Sequence, residues 1–397
     1  MRVITTNDEL EKLCIELKNQ KFLTIDTEFI REKTYWPKLC LIQIGWKDGA
    51  AIIDPLEKGL NLNPFFEILT DPNILKVFHA AHQDIEIFYH LSGKIPMPVF
   101  DTQIAASVCG FGRCISYDLL VQNITKVELD KSSRLTDWTH RPLDEKQLEY
   151  ALRDVTFLIP CFEYLQNYLE EHNRRDWIKD ETESLLNESC YNIDPNTAWQ
   201  KIKHSAHSAN FLITLRELAA WREKRAMDCN VPRKSIIRDE ILVAIASAMP
   251  KTIEDMQKVR NIRADITKGK LGEEILSVLD KARHMPTTHE LKKIDREKRV
   301  HVPGNAAALI EVLKLLLKIK CDQAGVIASV VADEQNIRDI ACGNDQNNPT
   351  LQGWRYELFG REALAFRKGL ATISYDTLAK KIVISITKKE RKQKTED

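Results

Sequence analysis

The feature that most constrains the fold is a change of hydrophobic period about halfway along the chain. Up to about residue 175, short β-rich runs alternate with helical stretches, and from about Asn210 every apolar pattern has helical spacing. The β-rich runs are residues 21–26 (KFLTID), 39–45 (LCLIQIG), 50–53 (AAII) and 76–79. Helical spacing occupies 62–69 and 84–91, where Ile85, Phe88 and Leu91 share a face and Gly93 marks the end. A longer helical stretch at 143–169 contains Pro160, which is expected to kink it or divide it in two. Residues 1–175 therefore read as an α/β domain whose sheet holds two antiparallel strands and a third.

The later helical segments fall at 211–225, 239–248 and 272–282, then at 306–319, 323–332, 351–359 and 361–366. They predict two all-α helical modules, over 205–285 and 295–380. The charged stretch 280–300, with Pro286, reads as a linker, and 381–397 as a disordered tail. A chain of 397 residues is longer than one core usually organises, which agrees with several domains.

The formal net charge is zero, from 58 Lys+Arg against 58 Asp+Glu. The balance hides a split. Residues 1–176 hold 20 basic and 27 acidic residues and the remainder holds 38 and 31, so −7 is joined to +7. The start, MRVITTNDELEKL, lacks the apolar stretch of a secretory signal. No run reaches the ~18 apolar residues of a membrane span; the best, 306–317, is broken by Glu311 and Lys314. Nine cysteines without a Cys-x-x-Cys pair read as reduced thiols. A cytoplasmic protein is expected.

Asp26 and Glu28 stand two apart at the end of a predicted strand, so their side chains share a face. Two carboxylates on one face repel unless a cation lies between them, and a divalent metal is the usual solution; solvated strand-end acids are the alternative. Asp84 lies at the start of a helix after a strand. Tyr150 and Asp154 lie four apart on one helical face, where an aspartate beside Val155, Phe157 and Leu158 needs a partner if buried.

The order Asp-x-Glu, Asp, Tyr-x-x-x-Asp resembles the three exonuclease motifs of the DEDD superfamily in its tyrosine subclass. The words DTEFIREKTYWPKLCLIQI, HAAHQDIEIF, FDTQIAA, LDKSSRLTDWTHRPL and EYALRDV together resemble the bacterial ribonuclease D family. Farther on, SANFLITLRELAAWREKRAMDCNVPRKSIIRDEILVAIA resembles its helicase-and-ribonuclease-D C-terminal (HRDC) domain, and LQGWRYELFG its last helix. The resemblance implies an α/β exonuclease (ribonuclease H-like) domain followed by two all-α helical modules, the second HRDC-like. It implies a metal-dependent 3′→5′ exoribonuclease that releases 5′-mononucleotides and trims structured RNAs such as precursor tRNA. Asp26, Glu28, Asp84 and Asp154 would hold two divalent cations, Mg²⁺ or Mn²⁺, as hard oxygen donors do. Tyr150 would orient the attacking water, since a tyrosine phenol with a pKa of about 10 is a poor base at neutral pH. The partner implied is RNA with a free 3′ end, bound by a monomer.

Two other enzyme or binding readings share these motifs: a proofreading-type DNA 3′→5′ exonuclease, and a catalytically silent RNA-binding adaptor. The helical modules and the words between motifs favour the ribonuclease, and the complete carboxylate set disfavours the adaptor. Tyr35 and Trp36 read as an exposed aromatic pair able to stack terminal bases. His79 and His82 flank Asp84 and are candidates to face substrate. His204 and His207 have zinc-pair spacing without further ligands and read as a polar linker. Gly110 and Gly112 lack the third glycine of a dinucleotide fingerprint. The basic cluster Arg216, Arg222, Lys224, Arg225, Arg233, Lys234 and Arg238 reads either as a solvated face or as a phosphate-contacting surface. Trp221, set among these arginines, reads as core.

Overall fold

The computed structural model describes residues 2–130, 132–133, 136–205, 208–267, 269–286 and 306–386. The described residues divide into two units, one drawn from Met1–Thr27, Leu41–Asn187 and His301–Asp397, the other from Glu28–Cys40 and Glu188–Val300.

The first unit begins with β1 (Val3–Ile4), α1 (Asn7–Leu17), β2 (Phe22–Ile30), β3 (Lys38–Trp46), β4 (Gly49–Ile53) and α2 (Asn63–Thr70). It continues with β5 (Leu75–Phe78), α3 (His82–Ser92), β6 (Val99–Asp101), α4 (Thr102–Val108), α5 (Tyr117–Thr125), α6 (Glu145–Thr156), α7 (Leu158–Glu171) and α8 (Lys179–Leu185). The division between units falls within β2 and β3, whose outer ends belong to the second unit. The six strands are ordered β1-β4-β3-β2-β5-β6. β3 and β4 are antiparallel, as the sequence predicts, while β1 joins β4 in parallel and β2, β5 and β6 run parallel. β3 is buried without interruption from Leu39 to Trp46, the pattern of a strand covered on both faces.

The stretch 143–169 divides rather than kinks: α6 ends at Thr156 and α7 starts at Leu158. Pro160 has no N–H for the carbonyl of Thr156, and its ring would clash there in a continuous helix. α6 starts with a capping box between Asp144 and Gln147. Its buried stripe is Gln147, Ala151 and Val155, which leaves Tyr150 and Asp154 half-buried on its shoulder. Close approach to the sheet depends on Gly45 of β3. The hydroxyl of Thr24 on β2 donates to the Val155 carbonyl at 2.8 Å, and a Cβ on Gly45 would lie 2.5 Å from Thr24 Oγ1 and 3.0 Å from that carbonyl.

The second unit is helical: α9 (Ala209–Asp228), α10 (Arg233–Ile236), α11 (Asp239–Ala248), α12 (Ile253–Gln257), α13 (Ala264–Thr267) and α14 (Lys270–His284). Trp199, Phe211, Leu215, Ile245, Met256 and Leu279 belong to its core. Residues 280–284 of the expected linker are the last turn of α14, and 287–300 lie outside the described residues.

The remaining helices are α15 (Ala306–Ala324), α16 (Ala328–Val331), α17 (Glu334–Cys342) and α18 (Gly353–Arg355), the last running through a π turn at Tyr356–Gly360 into α19 (Arg361–Arg367). The sequence predicts a separate module here, but Leu313, Leu316 and Val331 share one core with Val108, Leu120 and Leu165 of the sheet-bearing part. Helical periodicity shows that a face is apolar and not which face covers it. Arg174 ties the two parts, its guanidinium donating to the carbonyls of Val108 and Ala324. Residues 381–386, expected in a disordered tail, form β8 (Lys381–Ile386) against β7 (Ala371–Asp376). The alternation of Ile382, Ile384 and Ile386 is the strand signal; the charged residues after it, 387–397, lie outside the described residues.

Gly45→Ala is expected to overpack the α6–sheet contact and to destabilise the protein by about 1–3 kcal/mol, measured by denaturant unfolding.

Candidate active site

Three elements of the sheet-bearing fold converge on one cleft. β2 carries Asp26 and Glu28; the turn after β5 opens α3, which carries Asp84; and the shoulder of α6 carries Tyr150 and Asp154. Carboxylate oxygens of Asp26, Glu28 and Asp154 lie within 4.8 Å of one another. Asp26, Tyr150 and Asp154 line a cavity of about 370 Å³ together with His79, Tyr117 and Arg153. Asp84 stands beside this trio. It is buried, it accepts a hydrogen bond from the Thr27 hydroxyl, and it feels the charge of Asp26.

The electrostatics are those of acids gathered out of water. Burial pushes Asp26 up to about 6, and burial together with the neighbouring Asp26 pushes Asp84 well above the usual carboxylate range, against the bond from Thr27. All the donors are hard oxygens and the acids are closely spaced, so the residues fit one or more divalent cations. Among the described residues the cluster is made of carboxylates alone, without the nitrogen and sulfur ligands of a zinc site.

The turn into α3 is built by a residue that the sequence reading passed over. Asp101 accepts from the backbone N–H groups of Ala80 and Ala81 at 3.2 and 2.8 Å, and from Gln103 and Ile104 at 2.7 and 3.2 Å. One carboxylate thus caps α4 and fixes the left-handed Ala80 (φ 61°), from which α3 and Asp84 depart. Its signal was available, because an aspartate stands directly before the helix-forming TQIAA. Tyr117, also unforeseen, donates its hydroxyl to the Arg153 carbonyl at 2.9 Å and walls the cleft.

His79 faces the cavity, and its ring nitrogens lie 2.9 Å from Thr102 Oγ1 and 3.1 Å from the Ile115 carbonyl. Burial lowers its pKa, so the ring is neutral near pH 7 and fixed by the fold. His82 is exposed at the first position of α3. His204 packs its ring against Phe211 at 5.4 Å, and His207 lies outside the described residues.

Tyr35 departs from expectation. It is 4% exposed, and its hydroxyl donates to Glu223, itself wholly buried on α9. Arg233 also donates to Glu223, at 2.7 Å from Nη2 to Oε1, and lies over the Tyr35 ring. Asn230, left-handed at φ 49°, accepts from the N–H groups of Tyr35 and Trp36 at 3.1 and 3.0 Å. Burial works to raise Glu223, but the bonds from Arg233 and Tyr35 outweigh it and hold the carboxylate below its usual range. The Tyr35–Trp36 segment is therefore a plug in the helical unit rather than an exposed stacking pair, although Trp36 stays half-buried. A tyrosine in a polar loop gives no sequence signal of a buried acid nearly two hundred positions away.

The basic cluster is also largely committed. Arg222 is 3% exposed and donates to Asp239 at 2.6 Å and to the Ile237 carbonyl at 2.9 Å. Arg225 pairs with Glu274 at 2.7 Å, Arg216 with Glu217 at 2.8 Å, and Trp221 donates to Glu274 while packing on the core. Lys224, Lys234 and Arg238 are the members left exposed.

A strand with two acids, a helix start with a third, and a Tyr-x-x-x-Asp helix brought close together fit the 3′→5′ exonuclease class that the sequence resembles. Comparison with known proteins agrees. The 3′-5′ exonuclease family matches residues 1–170, and the HRDC domain family matches 213–279. Ribonuclease D of Bartonella henselae is 43% identical over 372 residues, covering 93% of this chain and 90% of that protein. Ribonuclease D of Zymomonas mobilis is 40% identical, over 98% and 99% of the two chains. Among solved structures, Escherichia coli RNase D superposes with a TM-score of 0.76 at 28% identity, covering 91% of this chain and 97% of that one. The chain belongs to the ribonuclease D family. It is a 3′→5′ exoribonuclease with an α/β exonuclease domain and a helical C-terminal region, and RNA is its substrate. Among the described residues, no helix is long and apolar enough to cross a membrane.

Two predictions follow from these geometries. In the metal-free protein the raised carboxyls keep protons that the unfolded chain releases near pH ~4. Their contribution to stability is full below that pH and is lost as pH rises through about 6 for Asp26. A divalent cation binds the ionised form, so the rise in melting temperature on adding Mg²⁺ should be larger at pH 7.5 than at pH 5; equal shifts would contradict the assignment. In the helical unit, Tyr35→Phe removes a bond to a buried charge and should cost about 1.5–3 kcal/mol in denaturant unfolding.

Proposed function

We propose that this exoribonuclease trims the 3′ ends of structured RNAs, with precursor tRNA the foremost substrate, and releases 5′-mononucleotides. The observation that carries the reading is the gathering of Asp26, Glu28 and Asp154 within 4.8 Å of one another, with Tyr150 lining the same cleft as Asp26 and Asp154. Structured RNA is supported by the similar Escherichia coli RNase D, described as an exoribonuclease involved in structured RNA processing.

Asp26, Glu28, Asp84 and Asp154 would hold two divalent cations, Mg²⁺ or Mn²⁺. Bound there, the cations supply neutralisation of the scissile phosphate and a more acidic attacking water. The chain's own residues do the rest. The four carboxylates take the ionised form when the site is filled, and Thr27 keeps one Asp84 oxygen turned toward β2. Tyr150, on the same helical shoulder as Asp154, orients water by its hydroxyl rather than removing a proton. His79, neutral and anchored, offers a rigid wall to the terminal nucleotide. Exposed Lys224, Lys234 and Arg238 supply phosphate contacts in place of the buried Arg222 and the paired Arg225. The protein acts as a cytoplasmic monomer in this reading.

The test is release of mononucleotides from 3′-extended tRNA and from single-stranded DNA, in Mg²⁺, in Mn²⁺ and in chelator. The tRNA should be shortened from its 3′ end only with metal, faster than the DNA. Asp26→Asn should lower kcat by about 10²–10³-fold, the scale of removing one preorganised electrostatic group. Faster turnover of DNA would overturn the substrate assignment, and undiminished turnover in chelator or in Asp26→Asn would overturn the metal site.

A further inference from the structure

The loop between α5 and α6 carries a device that the carboxylate motifs do not contain. Arg141 faces Asp54, the residue just after β4, with a two-pronged contact: Nε donates to Oδ2 at 2.5 Å and Nη2 to Oδ1 at 2.7 Å. Its Nη1 turns the other way and donates to the carbonyls of Trp138 and His140, both at 2.8 Å. Asp54 is buried, and the N–H of Leu56 donates to its Oδ1 at 3.1 Å. β4 is held by strands on both sides, through Ile53–Ile42 and Ile53–Ile4. The anchor is therefore as rigid as the sheet.

The same loop is fastened a second time on the other side of Trp138. Gln147, buried on α6, donates its Nε2 to the Thr136 hydroxyl at 3.1 Å, and that hydroxyl donates to the Ser133 carbonyl. Between the two fastenings Trp138 is 3% exposed, and its ring lies 6.1 Å from that of Tyr150. Tyr150 borders the cleft, whereas neither Trp138 nor Arg141 lines it. A guanidinium spent on a buried carboxylate and two carbonyls is not positioned to meet substrate. What it fixes is the backbone that carries the indole, and the indole is paired with the phenol at a ring separation of 6.1 Å.

We propose that Arg141 is a positioning residue for RNA hydrolysis: through Asp54 and the carbonyls of Trp138 and His140 it holds the Trp138 ring against Tyr150 and so sets the direction of the phenol in the cleft. The proposal rests on the water-orienting role given to Tyr150. Lysine in place of Arg141 keeps the charge but cannot reproduce the planar fork, which spans Asp54 on one edge and two carbonyls on the other. The ring of Tyr150 then loses its backing while its own helix stays in place.

A double-mutant cycle on the full chain tests this, with steady-state release of mononucleotides from 3′-extended RNA as the readout. Arg141→Lys should lower kcat by about 10-fold, short of the roughly 10²-fold that a 1 Å misplacement can cost, with little change in KM. In the Tyr150→Phe background the same substitution should have almost no effect, because a ring without its hydroxyl has nothing left to aim. Guanidinium ion added to Arg141→Ala should restore part of the lost kcat, which a merely unstable variant would not show. If Arg141→Lys does not fold at the assay temperature, Asp54→Asn takes its place in the cycle. Wild-type kcat in the lysine variant, a loss confined to KM, or an equal loss with and without the Tyr150 hydroxyl would each overturn the proposal. Full activity of Tyr150→Phe alone would overturn it too, and would place the error in the role of Tyr150 rather than in the link to Arg141.

Discussion

Carboxylates gathered out of water repel one another, so the strand and helices that carry them must hold them in place. Asp26 and Asp84 are both driven toward protonation by burial, and Asp84 also by its neighbour. Such a cluster cannot rely on its own attraction. Asp26 and Glu28 are fixed by the strand, Asp154 by a helix whose capping box and buried stripe set its rotation, and Asp84 by the first turn of α3. Gly45 completes the arrangement, since any side chain there would push α6 and Asp154 off the sheet.

The division of charge along the chain takes a different meaning in three dimensions. In the front half, Asp26, Glu28 and Asp154 gather within 4.8 Å of one another, and Asp84 feels the charge of Asp26. The basic excess of the back half is not an open surface in proportion to its count. Arg222 and Arg225 satisfy Asp239 and Glu274, and Arg233 satisfies the buried Glu223. An arginine that neutralises a buried acid is costly to remove and has few N–H groups left for phosphate. Composition counts charges, and only packing says which are already matched.

The site was legible in the sequence to the extent that it depends on short-range spacing. Asp26 and Glu28 two apart on a strand, and Tyr150 and Asp154 four apart on a helix, are local facts, and the structure puts Asp26, Glu28 and Asp154 together. The strands β2 to β5 and the helices α9, α11 and α14 were legible for the same reason. What escaped depends on long-range pairing. The buried role of Tyr35 requires Glu223, and the merging of the helices after Ala306 with the sheet-bearing core requires faces that periodicity leaves without partners. The hairpin of β7 and β8 was hidden by the charged residues around it, which favour disorder by composition while KIVISI alternates as a strand does.

The residues that sequence reading overlooked share one physical task. Asp101 gathers four backbone N–H groups at the turn into α3, and Arg141 gathers two backbone carbonyls in the loop before α6. Both stand at places where the chain leaves regular structure to reach the cleft, so the polar groups that a ladder or helix would satisfy need partners from side chains. A carboxylate suits a turn that presents donors, and a guanidinium suits one that presents acceptors. The elements that bear the reacting groups are rigid by their own hydrogen bonding. The loops between them are not, and it is there that a charged side chain, buried and forked, substitutes for secondary structure.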